Sequence, residues 1–403
     1  MLLYLFDDRQ ARNWMPFTLT RPAGELMFGC LLLRERAERF WGRPCTGQLV
    51  SPSLVGFDED GAPPIITHVT IGVDEPRVLF SSRAVPAVVD PPCVDDPATL
   101  TMNGHTVGWV LPAGTDLPEG VSVLEPETSP PVFPPLELTG QILETPWELM
   151  ASNGNQIRSD IENLFPESQF TLTDGVHHSG TENISIGPTA HVEAGVYLDV
   201  TKGPIRLEDG VCISAFTRLV GPLFIGKDTQ ILGGTIRNSS IGRTCHVKGE
   251  VQNSVLLGYC NKSHDGYLGH SYLGRWVNLG ALTTNSDLKN NYSTVRVNTA
   301  DGPVDTGRIK VGCFLADHVK TGVGTLLPTG CIVGAGSNLF GGLMSSVSVP
   351  PFSWGGGEST EEYRINQFLE TAEQAMSRRG VALTAGGRAV LLAAWKRTHR
   401  GSQ

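Results

Sequence analysis

From about Asn183 to about Gly342 the apolar positions follow a six-residue period. Aliphatics fall at Ile186, Val192 and Leu198, at Ile205 and Val211, at Ile225 and Ile231, and at Ile241 and Val247. An aliphatic followed by glycine recurs at Ile186-Gly187, Ile225-Gly226, Ile241-Gly242, Leu257-Gly258, Leu268-Gly269, Leu273-Gly274, Leu279-Gly280, Val311-Gly312, Val323-Gly324 and Val333-Gly334. An amphipathic helix repeats every 3.6 residues and a half-buried strand every 2, so neither gives this pattern. A coil with one inward aliphatic per short strand and a tight turn every six residues does. Three such strands close a triangular rung, and rungs stack through parallel ladders. The pattern predicts a parallel β-helix.

The first 180 residues have a different texture, with strands alternating with helices. Met1–Phe6, Val78–Phe80, Ala87–Val89, Leu100–Met102 and Val107–Val110 read as strands, and Ala23–Phe40 and Pro146–Phe165 as helices. That alternation predicts a small α/β domain. Ser129–Pro135 is proline-rich and reads as a stiff turn or linker, and His177-His178, in the interdomain stretch after Phe165, read as linker rather than metal ligands. After Pro350-Pro351 the period returns to helical. Ser359–Arg379 and Arg388–Arg397 read as two helices capping the open end of the solenoid. The expected domains are residues 1–180, 183–350 and 358–403.

Composition narrows the function. The chain has 403 residues and a net charge of −10, without a long Lys/Arg run, which argues against nucleic acid or an anionic membrane as partner. The apolar start Met1–Phe6 meets Asp7-Asp8 at once and reads as a buried strand rather than a leader. No stretch has the length of a membrane span. Eight scattered cysteines without a C-x-x-C pair fit reduced thiols and a cytoplasmic setting.

Two stretches break the six-residue rhythm: Tyr259–Tyr267, and Thr283–Tyr292 continuing to Gly307. Both are polar loops on a rigid scaffold, where sites are usually built. Here the residues resemble a known family. His264-Asp265-Gly266-Tyr267-Leu268-Gly269, then Val277-Asn278-Leu279-Gly280-Ala281, then Thr283-Thr284-Asn285 are similar to the acetyltransferase half of the GlmU-like family. These bifunctional enzymes of nucleotide-sugar and cell-envelope biosynthesis make UDP-N-acetylglucosamine. The resemblance runs over about Gly249–Gly336. It implies a left-handed β-helix, a homotrimer, and acetyl transfer from acetyl-CoA to a sugar amine.

The resemblance makes His264 the general base, a role suited to a group that titrates near neutrality. It makes Tyr267, Asn278 and Asn285 substrate-binding and sets the backbone at Ala281 and Ala316 against the thioester, where an N–H stabilises the oxyanion. The family's phosphate-binding lysine is missing from the rung Gly249–Ser254, and Lys262 or Arg275 stands in its place. A zinc site from His264, His270 and His318 lacks any paired spacing, and no metal site is expected on the helix.

The segment Pro16-Phe17-Thr18-Leu19-Thr20-Arg21-Pro22 resembles a divergent branch of sugar nucleotidyltransferases, over about Met1–Gly42. In standard members a glycine-rich loop cradles phosphates. Phe6–Arg12 has no glycine, so Arg9, Arg12 and Arg21 are the expected phosphate partners. Asn103-Gly104-His105 stands where the family carries an Asn-Gly-Asp segment that holds Mg²⁺. Histidine there removes a hard oxygen ligand.

The sequence thus predicts a two-activity transferase of sugar phosphate, NTP and acyl-CoA, with Mg²⁺ for nucleotidyl transfer. Its rivals are a single-activity enzyme with a degenerate N-terminal domain and a non-catalytic trimeric scaffold.

Overall fold

The computed structural model describes residues 1–66, 74–93, 95–119, 121–126, 132–165, 174–299, 301–342, 344–356 and 359–399. Residues 129–131 of the expected proline-rich linker lie outside that set. The chain divides into two compact units. The first comprises Met1–Leu26, Leu31–Pro146 and Thr384–Gln403; the second comprises Met27–Cys30 and Trp147–Leu383.

The first unit is built on a seven-stranded mixed sheet. Its order is Pro135–Glu137, Ala98–Met102, His105–Leu111, Arg77–Ser81, Leu2–Phe6, Cys45–Leu49 and Ile65–Ile66. The central strand Leu2–Phe6 pairs in parallel with both neighbours. Leu3 and Leu5 join Phe40, Trp41 and Phe80 in one cluster, while Tyr4 and Phe6 join Leu79, Trp109 and Leu111 in another. Alternate residues therefore bury opposite faces, which explains why this strand reads as a continuous apolar run. The helix Leu33–Trp41 covers one face.

The second unit contains a 21-stranded sheet wound on three faces, parallel except for its last pair, the left-handed hexapeptide-repeat β-helix that the family resemblance implied. On one face Ile184 pairs with Ile205 and Ile205 with Leu223, and on the same face Ile241 pairs with Leu256. The repeat is 21 residues between Ile184 and Ile205 but 15 between Ile241 and Leu256, so rungs vary in length at their corners. The inward aliphatics merge into one column from Val176 to Val349. Leu273 pairs with Leu315, and the chain between them carries an inserted antiparallel hairpin, Arg296–Thr299 with Gly302–Asp305.

The corners are tight enough to hold non-glycine residues at positive φ. Asn238, Asn253 and His270 stack at one corner with φ of 46°, 49° and 48°. Tyr259, Trp276 and His318 stack at another with φ of 54°, 63° and 60°. Asparagine tolerates this region best. Trp276 is held by ring stacking instead: its centroid lies 4.2 Å from that of Tyr259.

Several expectations change. Ala23–Phe40 is not one helix: a 3₁₀ turn at Ala23–Glu25 and short strands precede the helix Leu33–Trp41. Gly29 sits at φ 68°, and the N–H groups of Gly29 and Cys30 donate to side chains of Asn153 and Asp160 instead of to a helix. In place of the expected strand Ala87–Val89 there is a strand at Ala84–Pro86, paired antiparallel with Gly140–Ile142 in a separate two-stranded sheet. His177-His178 belong to the strand His177–Ser179, which pairs with Tyr197–Asp199 and opens the β-helix.

Unit limits also differ from the domain limits read in the sequence. The helices Glu148–Ala151 and Asn153–Leu164 fall in the second unit, because the longer one packs on the strands Thr217–Ile225 and Gln230–Ile241. Ser359–Glu362 is a strand antiparallel to Ser353–Gly356, so the first C-terminal helix spans only Ile365–Ser377. Its Phe368 meets Phe352 and His318 edge-on at 5.2 Å and 5.9 Å. The last helix, Ala385–His399, belongs to the first unit, where Val390 clusters with Val50, Leu54 and Phe57.

Candidate functional site

On the β-helix, the strand Asn261–Lys262 leads into a corner that carries Ser263, His264 and Asp265. His264 and Asp265 are exposed. Lys262 occupies an inward position, in register with Val247 of the rung below. Its ammonium donates to the backbone carbonyls of Lys248 at 2.7 Å and His264 at 2.9 Å. Burial lowers its pKa to about 8, with the nearby Asp265 carboxylate working the other way. Lys262 is therefore a clamp that ties the His264 corner to the rung below. It does not face outward as a phosphate ligand.

Asn278 stands one rung above Asn261, in direct register. The Asn261 amide donates to the Asn278 carbonyl oxygen at 2.7 Å, which leaves the Asn278 NH₂ aimed away from that bond.

Tyr267 is placed differently from the expectation. Its hydroxyl donates to Asp287 at 2.6 Å and accepts from Gln252. Burial, followed by the Asp287 contact, pushes the phenol above its usual value. Asp287 in turn takes a 2.6 Å hydrogen bond from His270 Nδ1, and the other ring nitrogen meets the Asn253 amide at 3.0 Å. Burial works against the Asp287 carboxylate, but the bonds from His270 and Tyr267 outweigh it and hold its pKa below the usual range. Gln252, Tyr267, Asp287, His270 and Asn253 thus form one connected polar chain, and Tyr267 is committed within it.

Asn285 is buried and spends its amide on backbone. It accepts from Gly269 N at 2.9 Å and donates to the carbonyls of Gly269 and Ser286. It staples the insertion to the rung, and its amide is spent on backbone groups. Ala316 is buried and its N–H donates to Val333 at 3.0 Å, so it is not an oxyanion donor. Ala281 is partly exposed, and its carbonyl accepts from Gly324. The Arg275 guanidinium is buried over the Tyr259 ring, and its backbone N–H donates to Asp317 Oδ1 at 2.7 Å.

The histidines considered for zinc are not gathered. His270 is held by Asp287, and His318 lies between Trp276 and Phe368. Among the described residues no group of three or more His, Cys, Asp and Glu is placed to hold a metal.

Sequence reasoning missed a cavity of about 560 Å³ between the third face of the helix and Ile365–Ser377. Asn261, Asn278 and Lys320 line it from the strands, and Arg378 and Arg379 from the helix end. Register was the available signal, because Lys320 follows Asn278 in the ladder, but the inserted residues between them hide it in the sequence.

In the first unit the expected phosphate ligands are scattered. Arg9 is exposed. Arg12 pairs with Glu125 at 2.8 Å. Arg21 is buried and grips Glu59 with two bonds of 3.0 Å and 2.9 Å, so its charge is already balanced. Asn103 and Gly104, at φ 52° and 82°, form the two-residue turn joining Ala98–Met102 to His105–Leu111. Positive φ at both positions is what such a hairpin needs. The Asn103 side chain reaches the Gly140 carbonyl at 3.3 Å, so this segment is a turn rather than a metal-binding element.

Of the acids near the first strand, Asp8 has both oxygens on Arg83 and caps Ala11. Asp7 is buried, accepts from Ala23 N, and is pushed by burial to about 6. Magnesium needs charged oxygens facing a ligand. These carboxylates do not fit it.

Residues 3–89 match the family described as Sugar nucleotidyl transferase. The chain therefore joins a nucleotidyltransferase-type α/β domain to a hexapeptide-repeat β-helix. It is GlmU-like. A bifunctional sugar-1-phosphate nucleotidylyltransferase/acetyltransferase of Sulfurisphaera tokodaii is 32% identical over 93 residues, 23% of each chain. The bifunctional protein GlmU of Nitrosospira multiformis is 26% identical over 177 residues, 37% of this chain and 38% of its own. The chain thus spans well under half of the relatives it matches. A hexapeptide transferase family protein from Anaplasma phagocytophilum covers 57% of this chain and 97% of its own, at 14% identity and a TM-score of 0.21. The fold is read from the ladder itself.

Proposed function

We propose that the β-helix transfers an acyl group from acyl-CoA to the amine of a phosphorylated amino sugar, with His264 as the base. The observation that carries this reading is the His264 corner. The imidazole is exposed, its backbone is clamped by Lys262, and Asn278 stands outward on the next rung. A nucleophile's proton acceptor needs such a combination of access and fixed backbone.

In the step, the amine nitrogen bonds to the thioester carbon, His264 takes the amine proton, the C–S bond breaks, and the departing CoA thiolate takes that proton back from His264 and leaves as the thiol. Asn278 orients the amine through its free NH₂ edge. The N–H of Ala281 has no acceptor among the described residues and is the backbone donor for the oxyanion.

The first unit carries nucleotide or sugar-phosphate binding in this proposal. Its family match supports nucleotidyl transfer from an NTP, while its paired arginines favour the single-activity form of the enzyme. Assembly as a homotrimer follows the same reading. Leu282 and Val323, on successive corners, are 60% and 67% exposed, and a second copy covers them. Eight free thiols fit a cytoplasmic setting.

The test is full-length protein incubated with acetyl-CoA, with and without NTP, against a panel of amino-sugar 1-phosphates, with products read by mass spectrometry. An acylated sugar phosphate is expected. If no sugar in the panel is acylated and no nucleotide sugar forms, the scaffold reading replaces this one.

A further inference from the structure

The cavity between the third face and the helix Ile365–Ser377 has an unusual charge. His246, Lys320, Arg378 and Arg379 line it, and no carboxylate does. The second large cavity of this unit, about 700 Å³, provides the contrast. Its arginines are neutralised in place: Arg218 by Asp199 at 2.6 Å, Arg237 by Glu250 at 2.6 Å, and Arg158 by Glu182 at 3.2 Å.

Lys320 decides the matter. It lies in register with Asn278 below and Asn338 above, so its side chain projects from the third face beside the Asn278 amide. Its ammonium has no hydrogen-bond or ion-pair partner among the described residues, and burial alone lowers it to about 8. Arg379 donates to His246 Nε2 at 2.6 Å, which makes that nitrogen an acceptor and keeps the ring neutral. Burial, and then Arg379, lowers His246, and burial lowers Arg379 as well. Arg378 ends a helix, where the dipole favours a cation without further cause. That explanation does not extend to Lys320, which sits on a strand.

Basic groups gathered in a concave site without an acid need an anion to balance them. An ammonium beside a guanidinium fork suits the oxygens of a phosphate. The neighbouring Asn261 and Asn278 amides add neutral polar contacts.

We propose that this cavity binds the phosphate group of a phosphorylated ligand, through Lys320 and Arg379 with Arg378 at its mouth. It stands on the charge of the cavity and not on acyl transfer at His264. It also offers a cationic anchor that the rung Gly249–Ser254 lacks.

The experiment is calorimetric titration of full-length protein with inorganic phosphate, glucosamine 1-phosphate, CoA and dephospho-CoA. At least one of these is expected to bind, and to bind at least tenfold more weakly to Lys320→Met and Arg379→Gln. Arg378→Gln alters an exposed side chain and keeps the test valid if the buried variants misfold; a threefold or greater loss is expected there. Arg237→Met, in the neutralised cavity, should leave binding unchanged. Preference for the sugar phosphate over inorganic phosphate, or for CoA over dephospho-CoA, supports the site and names the source. Binding that is equal in wild type, Lys320→Met and Arg378→Gln overturns it, as does no binding by any of the four probes at millimolar concentration.

Discussion

Lys262 shows how a residue type can be read correctly and its job wrongly. A lysine two residues before His264 suggests a replacement for the phosphate-binding lysine missing from the rung Gly249–Ser254, but the six-residue period carries it inward, in register with Val247. The structure puts Lys262 in the aliphatic column's place with two carbonyls on its ammonium. In the proposed acyl transfer it is a positioning residue for His264.

Lys262→Met is expected to lower kcat about tenfold with KM for the sugar phosphate nearly unchanged, because the corner loosens while the ligand contacts remain. A raised KM with kcat intact would show that Lys262 reaches substrate after all. Stability carries a second signature. The folded ammonium releases its proton near 8, well below the usual lysine value, so between about 8 and about 10.5 the unfolded chain holds more protons and stability rises with pH. Lys262→Met should flatten that rise in thermal melts, leaving the part due to Lys320. Asn285 and Tyr267 teach the same lesson: both sit where the motif puts them, but their polar atoms are spent on Gly269 and Asp287.

Among elements, the β-helix was legible because its signal repeats. Ile184, Ile205 and Leu223 each satisfy the same inward position, so many weak local preferences add up. Corners and insertions were less legible. The stacked corner Asn238, Asn253 and His270 depends on residues from three rungs, and no local pattern marks it. The break in Ala23–Phe40 was hidden for the same reason, since the partners of Gly29 and Cys30 come from Asn153 and Asp160.

Rung stacking makes a definite prediction at this scale. Gly234 has φ 96°, and a Cβ there would lie 2.2 Å from the Gly249 carbonyl oxygen one rung above. Both the backbone conformation and the contact oppose a side chain. Gly234→Ala should destabilise the second unit by about 2 kcal/mol or more, read as a lowered denaturation midpoint. An unchanged midpoint would mean that the rungs separate more easily than their register suggests.

On the scale of the whole molecule, the two halves support their proposed functions unequally. The first unit has the fold and a family match, but Arg21 and Arg83 are balanced by Glu59 and Asp8, and Asn103 is a hairpin tip. The second has an exposed histidine on a clamped corner and a cationic cavity on the adjoining face. Acyl transfer is therefore the activity on which the account depends.

The most direct measurement is the rate of CoA thiol release by full-length protein, wild type against His264→Ala, with acetyl-CoA and the best amino-sugar phosphate from the panel. Loss of a general base is expected to lower kcat about 10² to 10⁴-fold, with the fold intact by circular dichroism. Equal rates for the two proteins would contradict the assignment of His264 and with it the proposed acyl-transfer mechanism.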